Sequence, residues 1–78
     1  MNIKIYSRSG CPYCDKIKTV LNQREIEYTS YELDEDFTRD EFYSEFGKST
    51  TFPQVILDGN QLGGCSDAVK YLHENNII

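Results

Sequence analysis

Basic residues are scarce in this sequence of 78 residues. Lys and Arg number 8 against 13 Asp and Glu, so the formal net charge is −5, and the basic residues form no cluster. A field of this sign opposes the phosphate backbone of nucleic acids. We therefore expect no nucleic-acid partner.

Long hydrophobic runs are also missing. No window approaches the roughly 20 apolar residues that a membrane-spanning helix needs, and the opening MNIKIYSRSG lacks the basic and apolar regions of a signal peptide. No linker, repeat or low-complexity segment divides the chain, which is too short for a second core. The sequence thus predicts one domain over residues 1–78, a cytoplasmic location and no membrane partner.

Cysteine and histidine are few, with 3 Cys and 1 His. An odd number of cysteines without a signal peptide argues against a secreted disulfide scaffold and favours cysteines used for chemistry or metal binding. Cys11 and Cys14 are separated only by Pro12 and Tyr13. Metal sites, structural disulfides and redox-active dithiols all use this spacing.

The hydrophobic pattern changes its period at this pair of cysteines. Ile3 and Ile5 alternate with Lys4, which predicts a strand, whereas from Pro12 onward the apolar residues recur at helical spacing. The pair therefore lies where a strand turns into a helix.

Five further elements follow in the pattern. Residues 26–33 predict a strand, and Thr38 to Glu41 form a capping box that opens a helix ending at Gly47. Residues 53–57 and 61–64 predict a hairpin, after which Ser66 is expected to cap a last helix. The order β-α-β-α-β-β-α indicates an α/β fold, a four-stranded mixed sheet covered by three helices, with a parallel first βαβ unit.

The three chemistries of the cysteine pair are not equally supported. A structural disulfide across so short a loop stabilises by only about 2 kcal/mol. A closed zinc site needs four ligands, and only Cys65 and His73 remain to complete it. A redox dithiol explains more, because a helix N-terminus stabilises a thiolate. We expect Cys11 to attack, with Arg8 as a nearby cation, and Cys14, deeper and less exposed, to resolve.

Three separated motifs then resemble those of the glutaredoxins over nearly the full chain. They are CPYC at Cys11 to Cys14, TFP at Thr51 to Pro53 and GGCSD at Gly63 to Asp67. The resemblance implies the thioredoxin fold and glutathione-dependent reduction of protein disulfides and glutathione mixed disulfides. The short chain is most similar to the small bacterial or viral members, and we expect a monomer with no tightly bound cofactor and no metal.

The resemblance also implies a glutathione site. The Phe52–Pro53 bond would be cis and face the active cysteine, and Phe52 would pair with the tripeptide as an added strand does. The N–H groups of Ser66 and Asp67 would bind the γ-glutamyl carboxylate, and the Asp67 side chain would bind the ammonium. The other predicted members are Arg8 and Lys48 as cations for the glycine carboxylate, Tyr13 and Thr51 at the groove, Gly64 for close approach and Cys65 as a buried packing residue.

Two rival functions stay open. A redoxin reduced by a flavoprotein reductase would not need the GGCSD motif, which is intact here. An iron–sulfur cluster shared by two chains through Cys11 and glutathione is disfavoured by Pro12, where cluster-binding relatives usually carry a smaller residue. The sequence does not identify the protein substrate; ribonucleotide reductase, a frequent partner of dithiol glutaredoxins, is a candidate by family analogy alone.

Overall fold

The computed structural model describes residues 1–48 and 50–78. Within them, strands and helices follow the predicted order. They are β1 (Ile3–Ser7), α1 (Pro12–Gln23), β2 (Thr29–Glu32), α2 (Arg39–Phe46), β3 (Gln54–Leu57), β4 (Asn60–Gly63) and α3 (Cys65–Glu74). None of the helices in the described part of the chain is long and apolar enough to cross a membrane.

The four strands form one mixed sheet in the order β2-β1-β3-β4. β1 pairs with β2 in parallel, and β3 pairs antiparallel with both β1 and β4. Asp58 and Gly59 make the turn between β3 and β4, with φ of 50° and 85°. Left-handed conformation at both turn residues is typical of the tight hairpin that the sequence predicted.

The main core lies between one face of the sheet and the helices α1 and α3. Ile3 and Ile5 of β1 pack there, as period-two alternation requires. α1 contributes residues spaced by a helical turn, Ile17 and Leu21, and all four side chains are buried. The rest of this core consists of Val55, Leu57, Cys65, Ala68 and Leu72.

A second, aromatic cluster lies on the other face, beneath α2. Tyr6 projects there from β1, and its ring centroid lies 5.2 Å from that of Phe37 and 5.1 Å from that of Phe46.

The predicted capping box begins α2. Thr38 Oγ1 accepts a hydrogen bond from the Glu41 N–H at 3.2 Å, and the Glu41 carboxylate accepts one from the Thr38 N–H at 2.9 Å.

The second strand is shorter than residues 26–33, the range that the sequence predicted. The residues after α1 are used to end that helix, because Glu25 is left-handed with φ of 56° and the Ile26 N–H donates to the Leu21 carbonyl at 2.9 Å. Ile26 and Tyr28 pack against the core from this connection instead.

Candidate active site

Cys11 is the N-cap residue of α1, and Cys14 lies in its first turn. The two are joined as a disulfide, with their Cα atoms 5.2 Å apart. The Cys11 Sγ accepts a hydrogen bond from the backbone N–H of Cys14 at 3.2 Å. Pro12 occupies the first turn, as predicted, where its missing N–H removes no hydrogen bond. When the disulfide opens, the helix start thus presents a donor to a thiolate on Cys11.

The two cysteines differ less in exposure than the sequence suggested. Cys11 is 4% exposed and Cys14 is 1% exposed, so both are buried. What distinguishes them is their position on the helix, because the helix-start hydrogen bond goes to the Cys11 sulfur. Electrostatics, rather than solvent access, therefore separates the two thiols in this structure.

A cleft of about 220 Å³ lies beside the cysteine pair, bordered by Tyr13, which is 59% exposed. The cis Phe52–Pro53 bond that the resemblance implied is present in its wall. The cleft contains every predicted glutathione-binding residue except the two cations. Its lining residues are Tyr13, Thr51, Phe52, Pro53, Gly64, Cys65, Ser66 and Asp67.

The start of α3 differs from the prediction that Ser66 caps it. The helix begins at Cys65 with Gly64 as its N-cap, and among the described residues no side chain caps it. Gly63 makes this early start feasible, since its φ of 103° lets the chain turn directly out of β4. The first N–H groups of a helix lack intrahelical partners, so those of α3 remain available to a ligand.

Close packing joins the start of α3 to the proline loop. A Cβ on Gly63 would lie 3.0 Å from Asp67 Oδ2, so the Asp67 carboxylate packs closely over Gly63. A Cβ on Gly64 would lie 3.7 Å from the Pro53 carbonyl oxygen. The two glycines of the motif thus bring Asp67 and Pro53 to the same cleft.

Two residues outside the predicted glutathione site support the proline loop. The ring of Phe42 stacks on Phe52 with centroids 4.3 Å apart and planes inclined by 14°. Gln54 is buried, and its side chain donates to the Thr51 carbonyl at 2.8 Å while accepting from the Gln61 amide at 3.0 Å. The sequence did contain a sign of the role of Gln54, because it is a polar residue at the start of an otherwise apolar strand.

The two predicted cations lie outside the cleft. The exposed Arg8 donates from its guanidinium to the Ser9 carbonyl at 3.3 Å. Lys48 lines a separate depression of about 480 Å³ together with Asp40, Tyr43 and Ser44. Ser49, which follows Lys48 in the sequence, lies outside the described residues.

Cys65 lies in the wall of the cleft and is 6% exposed. Burial raises the pKa of its thiol, and the charge of Lys16 partly opposes this shift. Cys65 therefore remains a neutral thiol at neutral pH, which suits a packing residue. The described residues contain no group of three or more His, Cys, Asp or Glu that could hold a metal ion.

Comparison with known proteins agrees with this geometry. The sequence model of the glutaredoxin family matches residues 3–62. Glutaredoxin 3 of Escherichia coli strain K12 is 30% identical over 66 residues, which cover 85% of this chain and 80% of that protein.

Solved structures resemble the whole fold. Glutaredoxin 1 from Francisella tularensis, crystallised with cacodylate, has a TM-score of 0.80 and 29% identity, covering 97% of this chain and 95% of that one. The buckwheat glutaredoxin–glutathione complex has a TM-score of 0.75 and 26% identity, covering 95% of this chain and 69% of that one.

A close cysteine pair at the first helix of such a sheet defines a thiol–disulfide oxidoreductase with the thioredoxin fold, as the sequence predicted. The extent of the family match and the identity to E. coli glutaredoxin 3 show the family. The chain belongs to the glutaredoxins.

The raised pKa of Cys65 gives a first prediction. With the disulfide intact, Cys65 is the one free cysteine, all three cysteines being among the described residues. A raised pKa lowers the thiolate fraction at any given pH, so iodoacetamide should alkylate the oxidised protein slowly at neutral pH. The rate, followed by mass spectrometry, should reach its midpoint at higher pH than in the same disulfide-bonded protein unfolded in urea. An equal or lower midpoint in the folded protein would contradict the burial effect.

Proposed function

We propose that this protein is a glutathione-dependent reductase of protein disulfides and glutathione mixed disulfides, acting through the Cys11–Cys14 dithiol. The observation that carries the proposal is the cleft beside the disulfide, where the proline loop and the start of α3 meet. It offers the Phe52 backbone beside the cis bond to Pro53, and uncapped helix N–H groups next to the Asp67 carboxylate. The structurally similar buckwheat glutaredoxin forms a complex with glutathione, which supports the same ligand class here.

The γ-glutamyl and cysteinyl parts of glutathione have complements at the proposed site. The γ-glutamyl carboxylate accepts from the N–H groups of Ser66 and Asp67, where the helix start also favours negative charge. The adjacent ammonium pairs with the Asp67 side chain. The cysteinyl backbone pairs with that of Phe52, as in strand addition. Gly64 admits close approach, and Tyr13, Thr51, Pro53 and Cys65 form the walls.

The glycine carboxylate is the part of glutathione with the least defined partner. Arg8 and Lys48 are the candidate cations, and both lie outside the cleft. Lys48 is exposed, so its long side chain is free to move toward a bound ligand. Arg8 belongs to the loop that leads into Cys11, which favours a role close to the reacting sulfur.

The proposed reaction proceeds by two exchanges. The Cys11 thiolate attacks one sulfur of the substrate disulfide, and the other sulfur leaves as a thiolate that takes a proton from solvent. Cys14 then attacks the Cys11 Sγ, which forms the Cys11–Cys14 disulfide and releases the second substrate thiol. Two glutathione molecules reduce this disulfide and leave as glutathione disulfide. A second glutathione can instead resolve a glutathione mixed disulfide on Cys11 directly.

We further propose that residues 1–78 act as one monomeric domain in the cytoplasm, without a tightly bound cofactor and without nucleic-acid or membrane partners. The proposed protein substrates carry accessible disulfides. Ribonucleotide reductase is one candidate, supported only by family analogy.

A coupled assay tests the proposed reductant. Glutathione, glutathione reductase and NADPH are supplied with a small glutathione mixed disulfide, and NADPH oxidation is followed. We expect turnover that depends on glutathione and is not reproduced when thioredoxin reductase replaces the glutathione system. Turnover with thioredoxin reductase but not with the glutathione system would favour a redoxin reduced by a flavoprotein reductase. A coloured protein that requires glutathione to retain iron would favour the iron–sulfur cluster shared by two chains.

Asp67→Ala tests the ammonium contact. A hydrogen bond to a charged group contributes about 1.5–3 kcal/mol, so the apparent affinity for glutathione should fall by an order of magnitude or more. Glu74→Ala is a suitable control, because it removes the same charge from the far end of α3 and should leave the affinity unchanged. Equal affinities in the two variants, with both folded by circular dichroism, would remove Asp67 from the site.

Cysteine variants separate the roles of the two thiols. Cys14→Ser should keep much of the activity on small glutathione mixed disulfides, because glutathione reaches the mixed disulfide on Cys11. It should lose most of its activity on protein disulfides, where an internal thiol must release the substrate. Cys11→Ser should abolish both activities, since Cys14 lacks the helix-start hydrogen bond. Equal loss of both reactions in Cys14→Ser, or activity remaining in Cys11→Ser, would contradict this division.

A further inference from the structure

The hydroxyl of Ser7 is buried without a partner. Ser7 ends β1 and is 0% exposed, and none of the described residues forms a hydrogen bond with its Oγ. Its backbone is fixed, because the Ser7 carbonyl accepts from the Leu33 N–H at 2.9 Å. A buried hydroxyl that lacks a partner is a cost to the folded state. Buried polar groups without a partner are rare in folded proteins, so the residues around Ser7 should explain why this one is kept.

The register of β1 against α1 indicates what lies beside this hydroxyl. Ile5 and Ser7 point to the same face of the sheet, and Ile5 packs in one core with Ile17 and Leu21 of α1. Because β1 and β2 are parallel, the helix that connects them runs back in the opposite direction to β1. The topology therefore places the last inward residue of β1 at the level of the first inward residue of α1. That residue is Cys14, buried one turn before Ile17.

We propose that Ser7 is the hydrogen-bond donor for the Cys14 sulfur once the disulfide opens. In reduction, an external thiolate attacks the Cys11 Sγ, the Cys11–Cys14 bond breaks, and its electron pair leaves on the Cys14 Sγ. The Ser7 O–H donates to this new thiolate, which later takes a proton from solvent. While the disulfide is closed, the Ser7 Oγ forms no hydrogen bond with a sulfur or with any other described atom. Opening the disulfide frees the Cys14 side chain to turn toward the hydroxyl, and a thiolate is a much stronger acceptor than a disulfide sulfur, so the contact forms in the reduced protein.

The sign of the effect on the redox couple follows directly. A contact made only in the reduced state stabilises the dithiol. The disulfide is then more readily reduced, and so is a stronger oxidant, than it would be without the contact. Removing the hydroxyl should therefore make the reduction potential more negative. The inference needs only the Cys11–Cys14 couple, so it does not depend on glutathione as the reductant.

Ser7→Ala tests the inference in a dithiothreitol redox buffer, which requires no glutathione site. The equilibrium constant for reducing the disulfide should fall about tenfold, which for a two-electron couple is about 30 mV toward more negative potential. Ser9→Ala removes an exposed hydroxyl from the neighbouring loop and should leave the potential unchanged. An equilibrium constant for Ser7→Ala within twofold of that of the unaltered protein would overturn the proposal.

A pair of isosteric variants isolates the hydroxyl from its volume. Ser7→Thr keeps the O–H, whereas Ser7→Val replaces it with a methyl group. The reduction potential of Ser7→Val should therefore be more negative than that of Ser7→Thr. Thermal unfolding gives an independent check. Ser7→Ala should unfold at an equal or higher temperature than the unaltered protein when both are oxidised, and at a lower temperature when both are reduced. Equal lowering in both redox states would indicate a packing role and would overturn the proposal.

Discussion

The backbone N–H groups at the start of α1 are the constraint on which the chemistry of this protein depends. A helix leaves its first N–H groups without partners, and Ser, Thr, Asp or Asn at the N-cap usually accepts from one of them. Here Cys11 occupies that position, and its sulfur accepts from the Cys14 N–H. Under the proposed reaction, one atom therefore both caps the helix and attacks the substrate disulfide. An anion accepts more strongly than a neutral sulfur, so the interaction that begins the helix also favours the thiolate.

Sheet topology brings the other two motifs to this atom. β3 runs antiparallel to β1 with Gln54 opposite Tyr6, so the proline loop before β3 lies at the end of β1 where Cys11 follows. β4 reverses again and ends with Gly63 opposite Val55, which returns the start of α3 to the same edge. Motifs about 40 and 50 residues downstream thus share one cleft because each adjoins a strand end at that edge. The stack of Phe42 on Phe52 connects the loop to the aromatic cluster under α2.

The sequence predicted those features that local patterns determine. The period change at Pro12, the capping box of Thr38 and Glu41, and the turn at Asp58 and Gly59 each depend on neighbouring residues, and each was confirmed. Features that depend on tertiary packing were wrong or missed. α3 begins before Ser66, because Gly63 and Gly64 turn the chain against Asp67 and Pro53. The support that Gln54 gives to the loop requires Thr51 and Gln61, which only the folded sheet brings together. Long exposed side chains such as Arg8 follow no periodic pattern, so the sequence could not place them relative to the cleft.

The charge of the protein and the chemistry of its cleft have opposite signs. The net charge of −5 repels anions at a distance, whereas the starts of α1 and α3 both present backbone N–H groups at the edge that carries the disulfide. At physiological ionic strength, charges separated by more than about 8 Å in solvent are largely screened, so the net charge contributes little at contact range. Hydrogen bonds from fixed N–H groups are not weakened in this way. Under the proposed function, ligand recognition at this cleft therefore depends on where the ligand carries its charges, and Asp67 beside an uncapped helix start is the complement of a carboxylate and an ammonium on the same carbon.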